Sequence, residues 1–97
     1  MKQNQGSKRK RKRTVFTITA DNARNVYLVG DFNGWDIKKH PMKPDGNGTW
    51  SKTLLLEPGT YQYKFWVNDR WQLDPGNDLR CFNCFGTFNN IVNVAAD

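Results

Sequence analysis

The sequence predicts an all-β fold, an antiparallel β-sandwich with an immunoglobulin-like outline. No segment shows the sustained 3.6-residue apolar period of a helix, whereas several short segments alternate apolar and polar residues. Gly, Pro, Asn and Asp separate these segments, as turn formers do. Six to eight short strands within roughly 80 residues are typical of such a sandwich.

The fourth alternating segment is the clearest strand. Its odd-numbered residues, which include Tyr63 and Phe65, fall on one face, and Lys64 and Trp66 fall on the other. A two-residue turn at Asn68-Asp69 joins it to a short partner strand. Residues 30–49 and 74–88 are predicted to be loops. The predicted strands are residues 14–19, 25–29, 50–56, 60–67, 70–73 and 90–94.

Charge divides the chain into two parts. Seven of the fifteen Lys and Arg residues lie in residues 1–13, which contain no apolar residue after Met1. The remaining chain has eight Lys and Arg against nine Asp and Glu, so it is nearly neutral. We therefore predict a disordered basic tail, residues 1–13, followed by one folded module, residues 14–97. The tail could contact nucleic acid or an anionic surface, or serve only as a solvated linker or localisation arm.

Membrane, export and metal signals are weak. No run approaches the roughly 18 apolar residues of a membrane span, and no apolar region follows the basic block. A cytoplasmic protein is therefore expected. Cys81 and Cys84 form a single C-x-x-C with no second pair, and His40 is the only histidine, so two reduced thiols are favoured over zinc or redox chemistry. No cofactor and no metal site are predicted.

An enzymatic role is not favoured. His40 lies next to a proline in a predicted loop, without a nucleophile at recognisable spacing. Several aspartates lie near Trp35 and Trp71 in sequence and could in principle serve glycoside hydrolysis. However, Asp beside Asn, Gly or Pro in a turn usually caps its own backbone.

The aromatic content of the sequence favours a binding function over an enzymatic one. Six Phe, four Trp and three Tyr exceed what a small core requires, so some of these rings are candidates for a binding surface. A flat indole can cover the C–H face of a glucose ring, while Lys, Asn, Thr and Gln bond to its hydroxyl groups. The same rings could stack nucleobases, but the nearly neutral module has no recognisable nucleic-acid-binding motif.

Several stretches together resemble a known family. "VYLVGDFNGWD", "GTW", "LEPGTYQYKFWVNDRWQLDP" and "GTFNNIVNV" look like the glycogen-binding carbohydrate-binding module, family 48. This module occurs in β subunits of AMP-activated protein kinase and at the N-terminal side of isoamylase and branching enzymes. The resemblance runs from about residue 14 to residue 94. It implies an early-set immunoglobulin-like sandwich that binds α-1,4-glucan and is not catalytic.

The resemblance also implies a set of sugar contacts. In the family's motifs two Trp rings stack on the glucan, a Lys and a Thr-x-Asn pair bond its hydroxyl groups, and an apolar side chain supports the ring edge. Trp66 is a further candidate, because its outward position would extend the aromatic surface. The positions that match the motifs are Trp35, Lys64, Trp71, Phe85, Thr87 and Asn89.

The alternative is a structural module that has lost sugar binding and docks a kinase or glycoside hydrolase domain. Phe85 stands where the family has Leu, and Asn68-Asp69-Arg70 stands where it often has Asp-Gly-x. The expected partners are thus an α-glucan and, in addition, a protein partner or a covalently linked catalytic domain.

Overall fold

The computed structural model describes residues 10–96, and these residues form two antiparallel sheets. The predicted β-sandwich is therefore confirmed. The strands are β1 (Lys12–Thr19), β2 (Val26–Gly30), β3 (Lys43–Pro44), β4 (Thr49–Leu56), β5 (Gly59–Val67), β6 (Arg70–Gln72), β7 (Arg80–Phe82) and β8 (Phe88–Val94). A short 3-10 turn, Asp31–Asn33, follows β2.

The smaller sheet has the order β1-β4-β3, and the larger one has the order β2-β5-β8-β7, with β6 paired to β5. Pro41 pairs with Tyr27 of β2 in an isolated β-bridge, so the segment around Pro41 lies beside β2. Leu28 N–H donates to the His40 carbonyl at 3.0 Å, and Met42 N–H donates to the Val26 carbonyl at 2.8 Å. These bonds satisfy backbone groups that would otherwise be exposed at the edge of β2.

The core lies between the two sheets and is built from the alternating residues that the sequence marks as inward. Phe16 of β1 meets Tyr63 of β5 edge to face, with ring centroids 5.0 Å apart. Leu28 and Phe65 are completely buried. Burying each such side chain stabilises the fold by about 2 kcal/mol, so the inward face of β5 is a main source of stability.

Several predicted boundaries were wrong. β1 begins at Lys12 rather than at residue 14, because Lys12 and Arg13 continue the ladder opposite Leu56 and Leu55. The predicted loop 74–88 contains β7, which pairs with β8 through Cys81 and Asn89, and β8 begins at Phe88 rather than at residue 90. The predicted loop 30–49 contains β3 and the 3-10 turn.

Residues 1–9 of the predicted basic tail lie outside the described residues, so the disorder of that part and its contact with nucleic acid stay predictions, whereas Lys12 and Arg13 belong to β1. Within residues 10–96, no helix is long and apolar enough to cross a membrane. The cytoplasmic location also stays a prediction.

The hairpin between β5 and β6 has the predicted two-residue turn. Asn68 and Asp69 both have positive φ, 47° and 67°, which is the geometry that suits the twist of a two-residue hairpin. The Asn68 side-chain oxygen accepts the N–H groups of Arg24 and Asn25 at 2.8 and 3.2 Å. Asn68 therefore ties the hairpin to the chain before β2.

We expect Asp69→Gly to stabilise the module by about 0.5 kcal/mol, or roughly 2–4 °C in Tm. Glycine adopts the left-handed conformation without the steric cost that Asp69 bears. Thermal unfolding followed by circular dichroism measures the effect. Asn68→Gly is the matched comparison, and it should destabilise because two hydrogen bonds are lost. A lower Tm for Asp69→Gly would contradict the assignment of the turn.

Candidate functional site

The loop after β2 is held from inside by Asn33. The buried Asn33 side chain accepts the N–H of Gly30 at 3.1 Å and donates to the Leu28 carbonyl at 2.9 Å. Gly34 and Trp35 follow with φ of 67° and 61°. A left-handed conformation at a residue as bulky as Trp costs of order 1–3 kcal/mol and persists only where the surroundings impose it. The loop thus turns Trp35 away from the core.

Phe32 of the same loop packs inward, as expected for one of its two rings. Its ring centroid lies 5.6 Å from that of Phe16 and 6.2 Å from that of Tyr61. Phe32 therefore anchors the loop, and Trp35 is available for another role.

A side-chain hydrogen bond links His40 to this loop. The Asn33 side-chain N–H donates to His40 Nδ1 at 2.9 Å, so the imidazole accepts there and must be neutral. Burial, together with the positive charges of Lys52 and Lys39, lowers the pKa of His40 below its usual value.

Because the folded pKa of His40 is lower than the unfolded value of about 6.5, its contribution to stability is complete above that value. The contribution is lost as the pH falls through the lower folded pKa. We expect the free energy of unfolding to decrease between pH 7 and pH 5, and His40→Gln to flatten that slope. Urea unfolding at pH 7, 6 and 5 measures both. Identical slopes in the two proteins would contradict this role of His40.

Trp35 and Trp71 meet at one end of the larger sheet. Their ring centroids are 6.2 Å apart, and their planes are inclined by 66°. Trp35 Nε1 donates to Asp31 Oδ1 at 3.0 Å, and Asp31 Oδ2 accepts the N–H of Gln62 at 2.8 Å. The carboxylate therefore fixes the indole of Trp35 to β5.

Trp66 supports Trp71 from the neighbouring strand. The two residues are directly opposite each other in the β5–β6 ladder, and their ring centroids are 4.7 Å apart at an interplanar angle of 70°. Trp71 remains 46% exposed. Trp66 thus orients Trp71 through a ring contact, whereas its predicted role as an extra sugar contact stays a prediction.

Lys64 lies on the outer face of β5, as predicted, but it is buried rather than exposed. It is only 8% exposed. Its Nζ donates to Thr87 Oγ1 at 3.1 Å and lies 5.7 Å from the ring centroid of Trp71. Burial lowers the pKa of the Lys64 ammonium group.

Asn83 organises the hairpin between β7 and β8. Its side-chain oxygen accepts the N–H groups of Phe85 and Thr87 at 2.9 and 3.1 Å. Its amide N–H groups donate to Thr87 Oγ1 at 2.7 Å and to Asn89 Oδ1 at 3.0 Å. Asn89 in turn donates to Gln62 Oε1 at 2.9 Å. One asparagine therefore positions all three predicted contact residues of this hairpin.

These side chains surround one groove with a volume of about 750 Å³. The structure brings all six predicted site residues to this groove, whereas Trp66 does not line it. Sequence reasoning missed four lining residues. Gln62 lies on the outer face of β5 and matches none of the family motifs, whereas Phe82, Asn83 and Cys84 belong to a hairpin within a predicted loop, which gives no periodic signal. The lining residues are Trp35, Gln62, Lys64, Trp71, Phe82, Asn83, Cys84, Phe85, Thr87 and Asn89.

The groove combines aromatic faces with a row of polar side chains, which is the chemistry that covers a sugar ring and bonds its hydroxyl groups. Phe85 is 86% exposed at its rim. Cys81 is half-buried, Cys84 is exposed, and both thiols are free. Within residues 10–96, no three His, Cys, Asp or Glu side chains are grouped to hold a metal ion.

Fold and groove together define a carbohydrate-binding module. Residues 12–97 match the family model of the glycogen recognition site of AMP-activated protein kinase, and the chain belongs to this family. The family consists of carbohydrate-recognition modules rather than catalytic domains.

Curated relatives include two chloroplastic proteins and a branching enzyme. The protein FLOURY ENDOSPERM 6, chloroplastic, of Oryza sativa subsp. japonica is 38% identical over 84% of this chain and 15% of its own length. The PTST homolog 2, chloroplastic, of Arabidopsis thaliana is 40% identical over 65% of this chain and 12% of its own. The 1,4-alpha-glucan branching enzyme GlgB of Nitrobacter hamburgensis is 47% identical over 59% of this chain and 8% of its own length.

Each of these matches thus spans a small part of a much longer relative. Among solved structures, a maltogenic amylase from S. marinus superposes with a TM-score of 0.68 at 22% identity. That match covers 87% of this chain and 14% of the amylase chain, and it supports the fold.

Proposed function

We propose that the groove binds a single α-1,4-glucan chain, as in glycogen, starch and maltooligosaccharides. Trp35 and Trp71 stack on successive glucose rings, and Lys64, Thr87 and Asn89 bond their hydroxyl groups. The observation that carries this proposal is the convergence of both indoles and the polar row on one groove. Membership in the glycogen-recognition family supports it independently.

The inclination of the two indoles favours an α-linked chain. Planes that meet at 66° form a bent surface rather than a flat one. An α-1,4-glucan curves along its length, so consecutive rings can face two inclined surfaces. A β-1,4-glucan is an extended flat ribbon, and its consecutive rings cannot lie on both indoles together.

The binding is expected to be weak, because the groove is open and its polar contacts compete with water. A few stacking contacts and hydrogen bonds give about −4 to −7 kcal/mol, which corresponds to a Kd between about 1 mM and 10 μM. Affinity of this order suits a module that retains a protein on a polymer carrying many equivalent sites.

Isothermal titration with maltoheptaose tests the proposal, and cellohexaose is the matched control. We expect saturable binding of maltoheptaose in the stated range and at least about tenfold weaker binding of cellohexaose. Absence of maltoheptaose binding at about 10 mM, with the protein folded by circular dichroism, would contradict the proposal.

We also propose that the module holds an attached or associated catalytic domain close to its glucan substrate. The branching-enzyme relative is much longer than the part that matches this chain. A non-catalytic module that binds the polymer raises the local concentration of substrate for such a domain. This partner domain is a separate proposal from the sugar site itself.

A further inference from the structure

Lys64 is a buried residue whose ammonium group borders the groove, and no carboxylate lies among the groove-lining residues. Lys64 is more than nine-tenths buried, and its neighbours are the neutral hydroxyl of Thr87 and the face of Trp71. Removing a charge from water is costly unless an opposite charge or several hydrogen bonds compensate for it. The ammonium group contacts one hydroxyl and lies 5.7 Å from one ring centroid, and the rest of it faces the groove.

The residues around the groove do not supply the missing negative charge. No Asp or Glu is among the groove-lining residues. The Asp31 carboxylate, which holds Trp35 beside the groove, has both oxygens engaged by Trp35 Nε1 and by the N–H of Gln62. The positive charge of Lys64 is therefore not neutralised from within the groove.

The Thr87 hydroxyl is a second hydrogen-bond donor beside Lys64. Its hydroxyl oxygen accepts bonds from Lys64 Nζ and from the Asn83 amide, which occupies both lone pairs. The hydroxyl proton is consequently left to donate to a ligand. An ammonium group has three N–H donors, and Lys64 uses one of them on Thr87. Beside Lys64 and Thr87, the groove therefore presents hydrogen-bond donors and a positive charge to a ligand.

We propose that this part of the groove, formed by Lys64 and Thr87, is a subsite for a phosphate monoester carried by the bound α-glucan. The proposal rests on the proposed glucan binding and extends it to a class of ligand. A phosphate monoester carries about −1.5 to −2 charges at pH 7 and three acceptor oxygens, which complement the free donors of both side chains. Charge-assisted bonds of this kind are about twice as strong as neutral ones.

Burial lowers the pKa of Lys64, in keeping with an ammonium group that has no opposite charge among the groove-lining residues. A phosphate beside Lys64 would favour the charged form and raise its pKa. A neutral sugar hydroxyl would not supply the opposite charge.

The test compares maltoheptaose with maltoheptaose carrying one phosphate monoester, at C3 or at C6, by isothermal titration. We expect at least one of the two esters to bind about fivefold or more tightly than neutral maltoheptaose at low salt. The difference should shrink as salt is raised. Equal affinity of both esters and the neutral sugar would overturn the phosphate subsite while leaving glucan binding intact, whereas no binding of any sugar would refute the proposed function itself.

Lys64→Met removes the charge but keeps most of the stem. We expect the affinity ratio between the favoured ester and the neutral sugar to fall to about one in this variant. Lys43→Met, which removes an exposed charge from β3 on the other sheet, is the matched control and should leave the ratio unchanged. A ratio that survives Lys64→Met, or one that falls equally in both variants, would overturn the proposal.

A titration with inorganic phosphate alone distinguishes a subsite for a phosphate ester on the glucan from a site for a free anion. We expect inorganic phosphate to displace neither sugar at the concentrations at which the favoured ester saturates the groove. Binding of inorganic phosphate as tight as that of the ester would show a free-phosphate site and would overturn the proposal.

Discussion

Trp71→Ala is expected to weaken maltoheptaose binding about tenfold or more. Trp71 presents nearly half of its surface to solvent at the junction with Trp35, so its ring is available to stack on a sugar. Loss of one such stack removes roughly 1.5 kcal/mol of binding free energy, which is slightly more than a factor of ten in Kd. Trp35→Ala should have a similar effect, since both indoles are proposed to stack on the same glucan chain. Isothermal titration of both variants gives the two ratios.

Trp50→Phe is the control for this experiment. Trp50 lies in the smaller sheet, where its Nε1 donates to the Ala20 carbonyl at 3.3 Å, and it does not line the groove. This variant should bind maltoheptaose as the unmodified protein does. A Kd for Trp71→Ala within a factor of two of the unmodified value would refute the stacking role of Trp71.

Gly30→Ala is expected to destabilise the fold by about 2–3 kcal/mol, a fall in Tm of roughly 10 °C or more. Gly30 ends β2 opposite Tyr63 of β5, and a methyl group there has no room. It would lie 2.5 Å from the Gln62 carbonyl oxygen and 2.9 Å from Tyr63 Cβ. The backbone of Gly30 is extended, so close approach rather than conformational freedom requires glycine here.

Gly76→Ala is the matched control for this second prediction. A methyl group at Gly76 would lie 3.5 Å from Asp74 Oδ1, which is ordinary van der Waals contact. Urea or thermal unfolding of the two variants should show a large loss for Gly30→Ala and a change within about 0.5 kcal/mol for Gly76→Ala. Equal stability of the two variants would disprove the close packing of β2 against β5.

The strands that the sequence predicts well are those with one face in the core. In β5, Tyr63 and Phe65 are buried as the alternation indicates, because the pleat places every second side chain between the sheets. The hairpin turn at Asn68-Asp69 was also predicted, since local turn chemistry determines it.

The hairpin of β7 and β8 shows where this reasoning fails. Arg80–Phe82 is an edge strand of three residues whose pairing depends on β8 rather than on its own pattern. Asn83 has no sequence signal that separates it from an ordinary turn residue. Its importance comes from four side-chain hydrogen bonds that exist only after the hairpin has folded.

Lys64 illustrates a further limit. The alternation assigns the correct face, but periodicity does not reveal that Thr87 and Trp71 lie over the end of the side chain. The burial of Lys64 and the absence of a carboxylate from the groove-lining residues are tertiary properties. For the same reason, the resemblance to a family identifies the matching positions but not the electrostatic state of the groove.

The most direct test of the central claim follows the four indole N–H resonances during a maltoheptaose titration by heteronuclear NMR. Trp35 and Trp71 line the groove, whereas Trp50 is bonded to Ala20 in the other part of the sandwich. Glucan binding in the groove predicts saturable shifts of the Trp35 and Trp71 signals and an unchanged Trp50 signal. Unchanged signals for both groove indoles at saturating sugar, or a shift of Trp50 as large as theirs, would contradict it.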